Sequence, residues 1–340
     1  MPIEFRRYPL IARSLSSDGS KEIERRLERR IDPLLGYSSR IVPGVKLPVA
    51  EESALEPLRR PNQTCPFCPG QLQAVTPRFP PEIVPQGRIR LGQTTVVPNI
   101  VPYCQYAAVA VFTPRHWLDL PDFTPRLLAD NLNAVIDYIR LVAAIDEAAA
   151  HASYNINYLY PSGGSLPHPH AQVYLDRYPT NLMREVSMAS AAYREAGGYS
   201  YWDDLAAREE TGPRFIGRTG SVSWMAPFAP MGFNEVRGIV DGTETILGLD
   251  AQDVADLADG ISRILAGYHR AGYNSFNLAL YSGRLGGEPG YRVNLSMITR
   301  SALVPYYRSD AMYLERLHAE AAVDRPPEEV VAEMRPSFEG

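Results

Sequence analysis

Six histidines occur in 340 residues, and two of them stand two apart in the string Ser165-Leu166-Pro167-His168-Pro169-His170-Ala171-Gln172-Val173. Side chains two apart on a β-strand share a face, so an extended conformation projects His168, His170 and Gln172 from one side of a sheet. Three polar groups on one face are costly to bury alone, which calls for a ligand, a metal or water against them. Cys65 and Cys68 offer a partner. Thiolates spaced C-x-x-C chelate one zinc ion from a tight turn, and its tetrahedral shell needs two further ligands, typically histidine nitrogens. His116, in TPRHWLDLP, and His168 are the best candidates. The same spacing also serves a redox pair, although no redox-type βαβ pattern frames it here, or two buried structural cysteines. If His168 ligates zinc, one structural ion per chain clamps the strand that presents His170 and takes no part in the reaction.

His170 is then free for chemistry as a general base or as a nucleophile. Its surroundings favour phosphate. Gly163, Gly164 and Ser165 form a donor-rich turn able to approach an anion closely, and the Gln172 amide donates to a phosphoryl oxygen without titrating. A second titratable group at 172 could protonate a leaving group and assist water, whereas an amide only stabilises charge. Glutamine there suits transfer rather than hydrolysis.

The elements that must hold these groups read as helix, strand, glycine turn, strand. Thr124 is an N-cap before Pro125, and Leu128, Leu132, Val135, Ile136 and Ile139 make one apolar face of a helix reaching about Ala150. Strand-like Tyr154 to Tyr160 breaks at Pro161-Ser162-Gly163-Gly164, and a second strand is expected around His168 to Leu175. The order recurs in a helix from about Ala251 to His269, with Val254, Leu257, Ile261, Ile264 and Leu265 on one face, then AGYNSFNLALYSGRLGG and YRVNLSMITR. In this echo Tyr154-Asn155 aligns with Tyr273-Asn274, and VSWMAPFAPMGFNEVRGIV answers TTVVPNIVPYCQYAAVAVF. The expectation is an α+β fold of two duplicated halves, each an antiparallel sheet with helices packed on it. The domains are 1–60, an N-terminal appendage and linker; 61–190, a catalytic half; and 191–340, a degenerate second half. Charged Ser20 to Asp32 reads as a short solvated helix, and Ile41 to Pro61 as linker.

Composition excludes other classes. Thirty-four Lys plus Arg against 39 Asp plus Glu, with no dense basic block, argue against nucleic acid as a partner. The longest apolar run, Tyr106 to Phe112, is far short of the ~18 residues of a membrane span. The opening MPIEFRRYPLIARS has no apolar stretch of signal-peptide length, so a cytoplasmic location with reduced cysteines is expected. His151, His269 and His318 read as surface or capping residues at helices, Cys104 as a small core residue and Trp117 as a core tryptophan.

PHPHAQV, with CPFCPG upstream and TPRH between them, resembles the galactose-1-phosphate uridylyltransferase-like branch of the histidine-triad superfamily. The resemblance spans roughly residues 60 to 180 and is weaker beyond. It implies that Cys65, Cys68, His116 and His168 bind zinc, that His170 is the nucleotidylated nucleophile and that Gln172 holds the phosphate. It also makes Asn99 and Asn157 nucleoside contacts and Ser165 a phosphate contact. The implied activity is a nucleotidylyltransferase working by double displacement, by default between a UDP-hexose and a hexose 1-phosphate, in a homodimer. A nucleotide-sugar or dinucleotide phosphorylase or hydrolase would need the same machinery, and a zinc-stabilised nucleotide-binding scaffold is the non-catalytic rival. Where many members carry a second-half metal site this chain has Asn294 and Ser296, although Glu185 resembles its carboxylate ligand; their sugar-side glutamine falls on Ala322.

Overall fold

The computed structural model describes residues 3–44, 47, 51–61, 64–302 and 309–339. The chain begins with a β-hairpin, β1 (Arg7–Leu15) and β2 (Glu22–Ile31), followed by β3 (Ser38–Ile41). The helix expected over Ser20 to Asp32 is therefore a strand. Ile23, Leu27 and Ile31 are four apart, a spacing that satisfies a helical stripe and one face of a strand equally. The turn decides for the strand: Asp18 accepts from the Ser20 amide at 3.1 Å, and Gly19 adopts φ +72°. Within the expected linker, residues 45, 46 and 48–50 lie outside the described residues, while Glu52–Arg59 form a helix, α1, that buries Leu55 in the main core. Leu55 and Leu58 supply a short apolar face that the neighbouring prolines obscure in sequence. A second short helix, α2, spans Gln71–Val75.

The strands of the large sheet are β4 (Ile89–Leu91), β5 (Thr94–Pro98), β6 (Ala108–Val111), β7 (His151–Tyr158), β8 (His170–Asp176), β9 (Phe215–Thr219), β10 (Val222–Met225), β11 (Val236–Val240), β12 (Phe276–Tyr281) and β13 (Asn294–Thr299). They pair antiparallel in the order β4-β5-β6-β8-β7-β12-β13-β11-β10-β9, so each half of the chain lays down the same five-strand pattern and the halves meet at β7 and β12. This is the expected α+β architecture with its two halves fused into one sheet. A last strand, β14 (Ala321–Val323), returns to pair parallel with β3.

Helix α3 (Pro125–Ile145) starts as expected, with the Thr124 hydroxyl accepting from the Leu127 amide, and stops short of Ala150 because Asp146 leaves helical geometry. Helices α4 (Asn181–Gly197) and α5 (Tyr201–Glu210) join the halves, and α6 (Ala251–Arg270) opens with an Asp250–Asp253 capping box. The apolar stripes of α3 and α6 enter one continuous core with Tyr154, Ile156, Val173, Leu278 and Met297 from the strands. That leaves the alternate residues, His170, Gln172, Asn155, Asn157 and Asn277, on the opposite face. Two details of register differ from expectation. β8 begins at His170, because Pro167 and Pro169 have no N–H to join the ladder. Tyr273 and Asn274 lie in the turn before β12, whereas Tyr154 and Asn155 are inside β7, so that part of the echo joins residues in unlike surroundings.

The second half's core is tight enough to test. Gly260 on α6 faces the fully buried Trp224, and a Cβ there would fall 2.0 Å from the indole Cζ2. Gly260→Ala gains up to ~1 kcal/mol of helix propensity but overpacks a ring with no room to retreat, at a cost of ~1–3 kcal/mol. Urea denaturation should therefore show a net loss of stability, and a gain would contradict the packing described.

Candidate active site

Cys65, Cys68, His116 and His168 converge from three separate segments, are all buried, and bring one ligand atom each within 4.8 Å of every other. The Cys68 Sγ lies 3.2 Å from His116 Nδ1 and 3.8 Å from His168 Nδ1, and Cys65 Sγ lies 3.6 Å from His168 Nδ1. The rings are aimed by their other nitrogens. His168 Nε2 donates to the Thr113 carbonyl at 2.8 Å, which leaves Nδ1 as the bare nitrogen facing the sulfurs, and His116 hydrogen-bonds the Leu58 backbone at the end of α1. Burial pushes His168 down to about 4 and lowers His116, keeping both rings neutral, the form that ligates. Burial and the neighbouring Cys65 push the Cys68 thiol up to about 11, so a cation is what would make these sulfurs thiolates. The four groups could hold a metal ion.

The nucleophile candidate follows directly. His170 is buried at 7% exposure, and its Nδ1 donates to the His168 carbonyl at 2.8 Å. That bond fixes the tautomer with Nε2 as the unprotonated nitrogen, and burial lowers the pKa so that the ring stays neutral. Phe67, between the two cysteines, packs against both imidazoles, at 5.9 Å from His168 and 5.2 Å from His170 between ring centres. The loop between the two cysteines thus walls the His170 ring.

Gln172 stands on the same face, its Oε1 accepting from Asn157 Nδ2 at 3.5 Å. The turn from β7 runs close beneath: a Cβ on Gly164 would meet the Asn157 carbonyl oxygen at 2.7 Å, and Gly163 adopts φ +87°, so both positions require glycine. Leu159 is held at φ +66°, a conformation costly for a branched side chain, by bonds from Ser162 Oγ and the Gly164 amide to its carbonyl. Ser165 is exposed on this turn. Asn99 follows β5, its amide bonded to the Ala107 carbonyl and its side chain accepting from the Val101 amide, toward the end of β8 away from His170.

Sequence reading missed Asn277, which crosses from the second half to donate to Asn157 Oδ1 at 2.6 Å, and Arg300, which donates to Asn277 Oδ1 at 2.7 Å. Only their place in a repeat could have marked them. Of the residues that differ from the resembled pattern or match its second metal site, Asn294 donates to the Arg292 carbonyl, Ser296 Oγ donates to Glu235, Glu185 accepts from the Tyr37 hydroxyl and Ala322 is buried in β14. His151 opens β7 rather than a helix, and Trp117 joins the main core as expected.

No family model matches the chain. It is 31% identical over 334 residues to an uncharacterised protein of Archaeoglobus fulgidus, covering 98% of each chain. Among solved structures it is similar to an ADP-glucose phosphorylase from Arabidopsis thaliana with bound ADP-glucose, at 18% identity and a TM-score of 0.71 over 91% of this chain and 98% of that one. It is similar also to a uridylyltransferase, at 21% identity and a TM-score of 0.67 over 92% and 98%. The chain shares its fold with these two structures. The chain belongs to one family with the archaeal protein. Among the described residues no helix is long and apolar enough to cross a membrane.

Elemental analysis of the purified protein is expected to find about one metal ion per chain at this cluster. Chelation, or Cys68→Ser, should lower the unfolding temperature by several degrees, because the ion joins the 65–68 loop to residues 116 and 168. An unfolding temperature indifferent to chelation in metal-loaded protein would contradict this.

Proposed function

We propose that the protein is a nucleotidyltransferase that works by double displacement through a nucleotidyl-His170 intermediate, with a nucleoside diphosphate sugar as donor. The observation that carries the reading is the bond from His170 Nδ1–H to the His168 carbonyl, which leaves a neutral imidazole with its Nε2 lone pair free. Among the described residues no side-chain hydroxyl hydrogen-bonds to Nε2, so the ring has no protein nucleophile to activate, which favours the ring itself as the attacking group. The pair of solved relatives supports the same chemistry, one described as a phosphorylase holding a nucleotide sugar and one as a uridylyltransferase.

In the first half-reaction Nε2 attacks the α-phosphorus, the N–P bond forms, and the bond to the bridging oxygen breaks to release a sugar 1-phosphate. The charge gained by the ring is shared with the His168 carbonyl through Nδ1–H. In the second half-reaction a phosphate oxygen of the acceptor attacks, the P–N bond breaks, and the imidazole is restored. Two inversions give net retention at phosphorus. Gln172 holds phosphoryl oxygens in both steps and has no proton to give, which favours transfer over hydrolysis. Gly163, Gly164 and Ser165 bring backbone and hydroxyl donors toward the phosphates, with Asn157 and Asn99 on the nucleoside side. UDP-hexose with a hexose 1-phosphate is the default pair, and inorganic phosphate as acceptor gives the phosphorylase.

The ion held by Cys65, Cys68, His116 and His168 is read as zinc. Bonds of about 2.3 Å to sulfur and 2.0–2.1 Å to nitrogen, set tetrahedrally, would require ligand atoms roughly 3.3–3.8 Å apart; three of the six separations are 3.2, 3.6 and 3.8 Å, and all lie within 4.8 Å. Its contribution is structural: it fixes the residue whose carbonyl orients His170. The division at residues 60 and 190, and assembly as a homodimer, belong to the same proposal.

Incubation with UDP-glucose, UDP-galactose and ADP-glucose, followed by intact mass measurement, should reveal an adduct whose mass names the nucleotide. The phosphoramidate should survive alkali and break in acid, and initial rates should give parallel, ping-pong lines. His170→Gly should abolish the adduct and be partly rescued by a preformed nucleotidyl imidazolide. Intersecting lines without an acid-labile adduct would refute double displacement, and no adduct or turnover with any donor would favour the non-catalytic scaffold. Gln172→His should raise the ratio of hydrolysis to transfer, and an unchanged ratio would show that the amide only positions phosphate.

A further inference from the structure

We infer that the second half of the chain sets the direction of the Gln172 amide through Asn277 and Arg300, which act as positioning residues for the phosphate-binding donor. This rests on the reading above that Gln172 donates to the transferred phosphoryl group. A carboxamide is nearly symmetric in shape and opposite in chemistry at its two ends. Whichever end Gln172 presents decides whether it holds a phosphoryl oxygen or repels it.

Three amides stand in a row across the seam between the halves: Gln172 on β8, Asn157 on β7 and Asn277 on β12, the last two directly paired in register. Oxygen and nitrogen of an amide are assigned only by their partners, and here the partners at the far end allow one answer. Arg300 Nη1 donates to Asn277 Oδ1 at 2.7 Å, and a guanidinium has no acceptor. Asn277 Nδ2 donates to the Ser162 carbonyl at 2.9 Å, and a carbonyl has no proton. The same Nδ2 donates to Asn157 Oδ1 at 2.6 Å, so Asn157 must turn its Nδ2 the other way, to Gln172 Oε1 at 3.5 Å. That last contact is long, as catalytic contacts commonly are before substrate binds. With its oxygen taken, Gln172 has its Nε2 left over as the end offered to substrate.

Arg300 is itself held. Its Nε and Nη2 fork onto Asp310 at 2.7 and 2.6 Å, and the Asp310 side chain is only 3% exposed. One fixed cation thus polarises three amides in sequence, and the direction of the first is carried to the last. The bond of Asn277 to Ser162 also ties the relay to the turn that carries Gly163, Gly164 and Ser165.

Packing and polarity are separated by Asn277→Asp. The new carboxylate keeps the shape and gains an ion pair with Arg300, but it faces the Ser162 carbonyl and shares Arg300 with Asp310, so the unfolding temperature should fall modestly, and a Gln172→Ala background separates that cost from the direction of the amide. It cannot donate, so Asn157 turns its Nδ2 toward it, Gln172 turns to donate to Asn157, and the Gln172 oxygen is left facing the phosphate. The rate of adduct formation with whichever of UDP-glucose, UDP-galactose or ADP-glucose loads the wild-type protein should fall on the order of 10²–10³-fold, as for loss of one oxyanion donor. In a Gln172→Ala background the same substitution should cost less than about threefold, because the group it acts through is gone. If the carboxylate variant does not fold, Arg300→Met should slow loading about tenfold and Arg300→Lys, which keeps a donor-only cation, should restore most of the rate. Loading at the wild-type rate in Asn277→Asp, or in Arg300→Met where that pair is used, would overturn the relay and leave the nucleotidyl-histidine intact. So would an equal cost with and without Gln172. Failure of the wild-type protein to load with any of the three would overturn the reading beneath it.

Discussion

The carbonyl oxygen of His168 accepts the Nδ1 proton of His170 while the imidazole of the same residue faces two thiols. One residue therefore couples a metal-binding cluster to the tautomer of the ring beside it. The Thr113 carbonyl fixes the His168 ring, the thiols fix its place, and its backbone fixes His170. Burial then acts in one sense on all three histidines, lowering His116, His168 and His170, so that each is a neutral ring with one bare nitrogen aimed where it can bind or react. A charged imidazole at either site could neither ligate nor attack.

The large sheet explains why such an arrangement sits beside a seam. Its helix-covered face is the core, and its other face is where alternate polar side chains must find partners. In the first half those partners are the CPFC loop and the amides; in the second they are the Arg292 carbonyl and Glu235. β7 and β12 join the halves side by side, which lets Asn277 reach across to Asn157 and places a second-half side chain in the hydrogen-bonded row that ends at Gln172.

Much of this was legible in the sequence because it is written in short-range pattern. C-x-x-C, His-x-His and the apolar stripes of α3 and α6 each carry a spacing that physical chemistry interprets alone, and together they give the cluster, the face of His170 and Gln172, and the α+β class. Ser20 to Asp32 reads as a helix from its charge, and Ile23, Leu27 and Ile31 fit helix and strand alike; the turn at Asp18 and Gly19 and the pairing of Arg7 to Leu15 with Glu22 to Arg30 make it a strand. Helix α1 was hidden among prolines. Asn277 and Arg300 were invisible for a different reason: Asn277 bonds a residue 120 positions away, set by how the two halves join in one sheet, and Arg300 reaches that contact only through Asn277.

The most direct test of the account is the tautomer of His170. Two-bond ¹H–¹⁵N correlation spectra of metal-loaded protein labelled with ¹⁵N-histidine report which ring nitrogen carries a proton, and a His170→Gly spectrum assigns the signal. The result expected near neutral pH is a neutral His170 ring protonated at Nδ1 and bare at Nε2, alongside a His168 ring protonated at Nε2 and bound through Nδ1. A His170 ring protonated at Nε2 would contradict the account, because the nitrogen that must attack phosphorus would have no lone pair to offer.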